Sequence, residues 1–100
     1  VVRLCVLNFN LIYPNPASRT WVEPGAFVTI GSVPASCKPT KNIHITHYLI
    51  AFDSSNNPYE VNATIAIDAT SGNIYISNDG AVSAYISNVP VNNLFYVSAV

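Results

Sequence analysis

Chemistry in this chain would have to come from a small set of groups: two histidines, His44 and His47, two cysteines, Cys5 and Cys37, and five carboxylates, Glu23, Asp53, Glu60, Asp68 and Asp79. The His-x-x-His spacing suggests a metal site, but residues three apart on a strand point to opposite faces, so the two imidazoles would not converge on one ion. A serine nucleophile needs a histidine and an orienting carboxylate, and the serines here sit in no G-x-S-x-G elbow. Glycoside hydrolysis needs two carboxylates about 5–9 Å apart in a cleft. Glu23, Asp53, Glu60, Asp68 and Asp79 are candidates only by default, and Asp68 and Asp79 lie beside turn residues, where Asp serves local hydrogen bonding. The glycines are scattered and form no phosphate loop, and two cysteines cannot make a four-thiolate zinc site. The expectation is therefore a protein that is not an enzyme and uses no metal and no cofactor.

What these residue types do suit is recognition. The C–H face of a pyranose packs on an aromatic ring, while its hydroxyls are held by amides, carboxylates or arginine. The candidate saccharide-binding residues are Tyr75, Tyr85, Asp79 and Asn73 in the last third of the chain, with Trp21, Arg19 and His44 before them. Arg19 and Trp21 share parity if their segment is extended. Core or interface packing is the alternative role for Trp21, and an ordinary amphipathic surface is the alternative for the two tyrosines. Asn62-Ala63-Thr64 matches the glycosylation acceptor pattern, a match short enough to arise by chance.

The elements that must position these groups are strands. Short β-branched and aromatic runs recur about every ten residues between Pro, Gly and Asn clusters, with no helical period, which predicts an all-β barrel or sandwich of six to seven antiparallel strands. Strands are expected near 2–11, 26–30, 43–52, 61–67, 73–77, 81–87 and 94–99, with loops at 13–18 and 53–58. Between the fifth and sixth of these strands, a three-residue Asn78-Asp79-Gly80 turn, with Gly80 left-handed, would make a hairpin. It would place Ile74, Ile76, Val82, Ala84 and Ile86 on one face and both Tyr75 and Tyr85 on the other.

One hundred residues make a single domain, and residues 1–100 are expected to be one module of a longer polypeptide. Half of the residues are hydrophobic, 9% are charged and the net charge is −1, so neither nucleic acid nor an anionic membrane is an expected partner. So little charge beside so much apolar surface predicts a homo-oligomer. Val1 to Leu7 is apolar at both parities, so a strand there needs cover on both faces. A membrane-spanning helix and a signal peptide are not expected. Cys5 and Cys37 leave a disulfide, two free thiols or a compartment-dependent mixture open, and assembly in a reducing cytosol would favour buried thiols.

Two segments carry a resemblance. Val28-Thr29-Ile30-Gly31-Ser32-Val33-Pro34-Ala35-Ser36-Cys37-Lys38-Pro39 is a strand followed by IG-x-x-P and a later proline, and Ala66-Ile67-Asp68-Ala69-Thr70-Ser71-Gly72-Asn73-Ile74-Tyr75-Ile76 follows I-D-x-x-G-x-I-x-I. With a closing strand at the end of the sequence, this order resembles phage tail and baseplate receptor-binding domains, most of all the head domain of lactococcal siphophage receptor-binding proteins. The resemblance implies a β-barrel head and a homotrimer attached to the remainder of a baseplate at the distal tail of the virion. It also implies binding of host cell-surface saccharide, a phosphate-bearing polysaccharide, in crevices near subunit interfaces. Heads of that kind use His, Asp, Trp and Arg in their last third, whereas this chain has no His, Trp or Arg after His47. Arg19, Trp21 or His44 of a neighbouring subunit is expected to supply the missing groups.

Overall fold

The structure is a computed structural model that describes residues 2–13 and 19–99. Those residues form eight strands: β1 (Val2–Ile12), β2 (Thr20–Val22), β3 (Phe27–Ser32), β4 (Ile43–Phe52), β5 (Pro58–Ile67), β6 (Asn73–Asn78), β7 (Ala84–Ile86) and β8 (Asn88–Ala99). The fold is all-β, as the strand-like runs require. Its centre is a six-stranded antiparallel sheet in the order β2-β7-β4-β5-β6-β3, and β1 and β8 pair separately as a two-stranded ribbon. The expected loop at 13–18 lies largely outside the described residues.

Alternation along the central strands sends one set of side chains inward. Val61, Ala63, Ile65 and Ile67 of β5 join Ile74 and Ile76 of β6, Leu49 and Ala51 of β4, Ala84 and Ile86 of β7, and Val22 of β2. Full burial of each isoleucine contributes about 1.5–3 kcal/mol relative to exposure, so this layer is the main stabilising term. The sheet nearly closes on itself because its two edge strands, β2 and β3, are consecutive in the chain. Their connection is hydrogen-bonded to the end of β6, where the Gly25 amide donates to Asn78 O (2.9 Å) and the Asn78 amide donates to Ala26 O (3.2 Å).

Asn78 fastens that closure. Its side chain is 1% exposed. The amide nitrogen donates to the carbonyls of Val22 (2.9 Å) and Val82 (2.8 Å), and its oxygen accepts the Gly80 amide (2.9 Å). This arrangement corrects the expected hairpin. The strands β6 and β7 are not neighbours: β6 pairs with β5 and β3, while β7 pairs with β2 and β4. Gly80 does not have a positive φ, which the expected turn required. The buried Asn78 side chain ends β6, and the chain then crosses to β7, which lies between β2 and β4. A side chain at Gly80 would lie 3.1 Å from Asn78 Oδ1 and 3.2 Å from Val61 Cγ2, so the crossing is too close for one without a shift. The in-and-out parity of Ile74, Ile76, Ala84 and Ile86 is as expected, whereas Val82 is exposed.

The ribbon packs Cys5, Val89, Val91 and Tyr96 into the same buried cluster. Cys5 pairs with Tyr96, Phe9 with Val91 and Leu11 with Val89. A one-residue bulge between these pairs, with Asn93 at φ 55, resets the parity of β8. Val89 and Val91 therefore face inward before it and Tyr96 and Ser98 after it. The other face of the ribbon has no cover among the described residues: Leu4, paired with Val97, is 67% exposed, and Phe95, paired with Val6, is 60% exposed. No helix among the described residues is long and apolar enough to cross a membrane.

Candidate functional site

The outer face of β3, β6, β5 and β4 carries an open groove of about 350 Å³, lined by Phe27, Asn42, His44, Thr64, Ala66, Ile67, Asp68, Tyr75 and Ser77. Strand register explains its shape. One row across the sheet runs Thr29, Tyr75, Ala66, His44, and the next runs Phe27, Ser77, Thr64, Thr46. The middle positions, Ala66, Thr64 and Ser77, are small and form a floor. Tyr75 and His44 stand on either side of Ala66, two strand spacings or about 10 Å apart at their backbones. The depression therefore follows from small residues beside large ones: Ala66 between Tyr75 and His44 in one row, and Ser77 and Thr64 beside Phe27 in the next.

One wall is aromatic. Phe27 is 67% exposed, and its ring meets that of Tyr75 edge to face, with centroids 5.5 Å apart and planes at 84°. That geometry is favourable for the ring quadrupoles and holds the tyrosine in place. The Tyr75 hydroxyl accepts a hydrogen bond from the Asn73 amide (3.3 Å). At the far end of the floor, Thr64 Oγ1 donates to Asp79 Oδ2 (2.6 Å) and Ser77 Oγ donates to Asp79 Oδ1 (3.1 Å), which fixes the carboxylate and leaves the hydroxyl oxygens free to accept. Asp68 closes the β5–β6 turn, its Oδ1 accepting the amides of Thr70 (2.7 Å) and Ser71 (3.4 Å). Asn42 ties the groove's rim to that turn by accepting the Ala69 amide (2.8 Å).

Two of the seven residues expected from sequence, Tyr75 and His44, line this groove within one chain, and two more, Asn73 and Asp79, hydrogen-bond to residues that line it. The other three gather elsewhere. Trp21 pairs with Tyr85 across β2 and β7, their ring centroids 4.3 Å apart. The Arg19 guanidinium lies 3.6 Å from the centroid of the Phe52 ring and its Nη1 donates to Asn56 Oδ1. Tyr75 and Tyr85 thus do not form one platform: both point outward, but β5 and β4 separate their strands. Phe27, Thr64 and Ser77 were not singled out from sequence. Their outward parity was readable, but the pairing of β3 with β6 that brings them together was not.

Beside Trp21 is a second, wider cleft of about 520 Å³, whose lining includes Asp53, Asn57, Tyr59 and Ser83. The β4–β5 turn builds its rim around Asp53, whose Oδ1 accepts the amides of Ser55 and Asn57, both at 2.9 Å. The Asn57 amide foremost holds the Asp53 carboxyl below its ordinary 3.8, with Asn57's side chain and the Ser55 amide adding to the effect. A lowered folded-state value means that this stabilisation is present above pH 3.8 and is lost as pH falls through the folded value. The stability difference between the wild type and Asp53→Asn is thus expected to be largest at neutral pH and to shrink below about pH 4. Thermal unfolding at pH 7 and pH 3 measures it, and a difference independent of pH would exclude this role.

His44 and His47 lie on opposite faces of β4, as the strand geometry demands, and the described residues contain no cluster of three or more His, Cys, Asp or Glu able to hold a metal ion. The acceptor pattern Asn62-Ala63-Thr64 lies in the middle of β5, with Ala63 fully buried, and its threonine hydroxyl is committed to Asp79. It contributes to the groove and is not presented on a loop. No known protein family, curated protein or solved structure matches this chain.

Proposed function

We propose that this domain is a non-catalytic saccharide-binding head that seats a sugar ring against Tyr75 in the β3–β6–β5–β4 groove. The observation that carries this reading is the pairing of an exposed aromatic wall, Phe27 and Tyr75, with a floor and rim of hydroxyl, amide, imidazole and carboxylate groups. An apolar sugar face packs on the ring, and the hydroxyls of the same sugar meet Thr64, Ser77, Asn42 and His44. The lining holds neither lysine nor arginine, so a phosphate on the polysaccharide would meet no permanent cation there. The recognition therefore rests on the uncharged part of the glycan. A host-glycan array followed by calorimetric titration tests the proposal; no binding to any bacterial cell-wall saccharide at millimolar concentration would sink it.

The biological setting, adhesion of a phage to its host through a tail or baseplate protein of the virion, rests on the resemblance of segments 28–39 and 66–76 to receptor-binding heads. A homotrimer belongs to the same proposal and is supported by the uncovered ribbon face, where Leu4, Val6, Phe95 and Val97 form a contiguous apolar strip. If copies of the chain bury that strip, the double substitution Val6→Glu and Phe95→Glu will convert the assembly to monomer in sedimentation equilibrium. A wild-type protein that is monomeric at 100 μM or so would refute the trimer, since association that weak is below what an obligate interface provides. The same strip favours one second reading, a structural baseplate module without ligand, in which the assembly contact is the whole function.

A further inference from the structure

We propose that Cys5 and Cys37 are a covalent modification site: in an oxidising medium they form an intramolecular disulfide that fastens the β1–β8 ribbon to the barrel. The inference rests on the fold alone and not on the saccharide reading. Cys5 lies on β1, and Cys37 ends a short 3₁₀ turn, Ala35–Cys37, in the connection between β3 and β4. The two are 32 residues apart in sequence, and their thiols are in direct contact. Both are unbridged in the structure.

The same neighbour positions the two cysteines. Tyr96 of β8 is the cross-strand partner of Cys5, and its hydroxyl donates to the carbonyl of Cys37 (2.8 Å). Around them, Ser98 Oγ donates to Ser36 O (3.0 Å) and the Thr40 amide donates to Val97 O (3.1 Å). The 3₁₀ turn is therefore already docked on β8 by hydrogen bonds from both sides of Cys37, and the two sulfurs that would bond already touch. These contacts are the described side-chain and backbone hydrogen bonds that join the ribbon to the β3–β4 connection. A disulfide would add the covalent link.

The chemistry balances with glutathione disulfide as oxidant. Cys37 is the more accessible of the two, Cys5 being buried, so the Cys37 thiolate attacks first and releases one glutathione as thiol. The Cys5 sulfur then attacks the mixed disulfide at Cys37, forming the internal bond and releasing the second glutathione. The two cysteine sulfurs together lose two electrons and two protons, and one glutathione disulfide becomes two thiols. The hydrogen bond to Cys37, followed by burial, raises the Cys5 thiol above its ordinary 9.0, and Cys5 gives up its proton as its sulfur attacks.

Incubating the purified domain with glutathione disulfide and trapping residual thiols with iodoacetamide tests the assignment. Intact mass should fall by about 2 Da with no alkylation, because two hydrogens leave. The melting temperature should rise on the order of 15 °C over the reduced protein, because a loop of this length loses much of its unfolded-state freedom. Cys37→Ser, at a half-buried position that tolerates a hydroxyl, should fold, keep one alkylatable thiol and show no oxidant-dependent shift. Two alkylatable thiols after oxidation, glutathione adducts that never resolve, or only intermolecular dimers would each overturn the proposal. So would an internal bridge that forms and leaves the melting temperature unchanged.

Discussion

Replacing Asn78 with alanine will lower the stability of this domain by about 3 kcal/mol, the sum of three hydrogen bonds near 1 kcal/mol each. The substitution removes both amide donations, to Val22 O and Val82 O, and the acceptor of the Gly80 amide. The position is sealed from water, so groups left without a partner there cannot recover it from solvent. The effect is structural as well as energetic: Val22 belongs to β2, at one edge of the sheet, and Asn78 to β6, next to the other edge. Without the amide, the near-closed barrel loses the side chain that joins its two ends. For a domain of this size the loss corresponds to a fall in melting temperature of about 15 °C or more. Asn78→Asp should be at least as harmful, since a carboxylate would face two carbonyl oxygens. Urea unfolding of both variants measures this, and a cost under about 1 kcal/mol would show that Asn78 is a turn residue only.

For binding, the largest loss is expected from Tyr75→Ala, which should weaken saccharide affinity about tenfold, equivalent to about 1.4 kcal/mol. The ring is the inner part of the aromatic wall, braced by Phe27 and by the Asn73 amide, so alanine removes the stacking surface and leaves Phe27 without its partner. Tyr75→Phe keeps the ring and should lose little. Trp21→Ala removes an aromatic from the other cleft and should leave affinity unchanged. Since Tyr75 points outward from β6, its alanine variant should unfold within a few degrees of the wild type, which separates lost binding from lost fold. A single groove of this size is expected to bind with a Kd of about 0.1–1 mM, and several copies on one particle would raise the effective strength through avidity. If Tyr75→Ala binds within twofold of the wild type while Trp21→Ala does not, the site is the second cleft.

The contrast between these two residues also marks how far the sequence could be read. Strands with β-branched and aromatic runs were legible: β4 runs from Ile43 to Phe52 as expected, and the inward Ile74 and Ile76 of β6 followed from parity. The three-residue strand β2, next to Pro24 and Gly25, carried too little pattern to be found. The beginning of β8, with Pro90 within it, read as loop because proline is accepted there only where its missing N–H faces away from the ladder.

The Asn78-Asp79-Gly80 triplet misled for a definite reason. Its residues are favoured in turns because Asn and Asp side chains bond nearby backbone. Asn78 does bond the Gly80 amide and Val82 O locally, but its amide also reaches Val22 on a strand far away in sequence, and no local pattern reports that. The candidate site divided in the same way. Tyr75, Asn73 and Asp79 lie within seven residues of one another, so their proximity was readable. Phe27 and His44 reach them only through the pairings of β3 and β4, which local alternation does not specify.

Titrating the isotopically labelled domain with fragments of host cell-wall polysaccharide and following backbone amide resonances tests the central claim most directly. The groove reading predicts saturable shifts confined to His44, Thr64, Ala66, Tyr75 and Ser77 and their neighbours, with the Trp21 and Tyr85 amides unmoved. Shifts centred on the Trp21–Tyr59 cleft, or a spectrum unaltered at millimolar fragment, would contradict it.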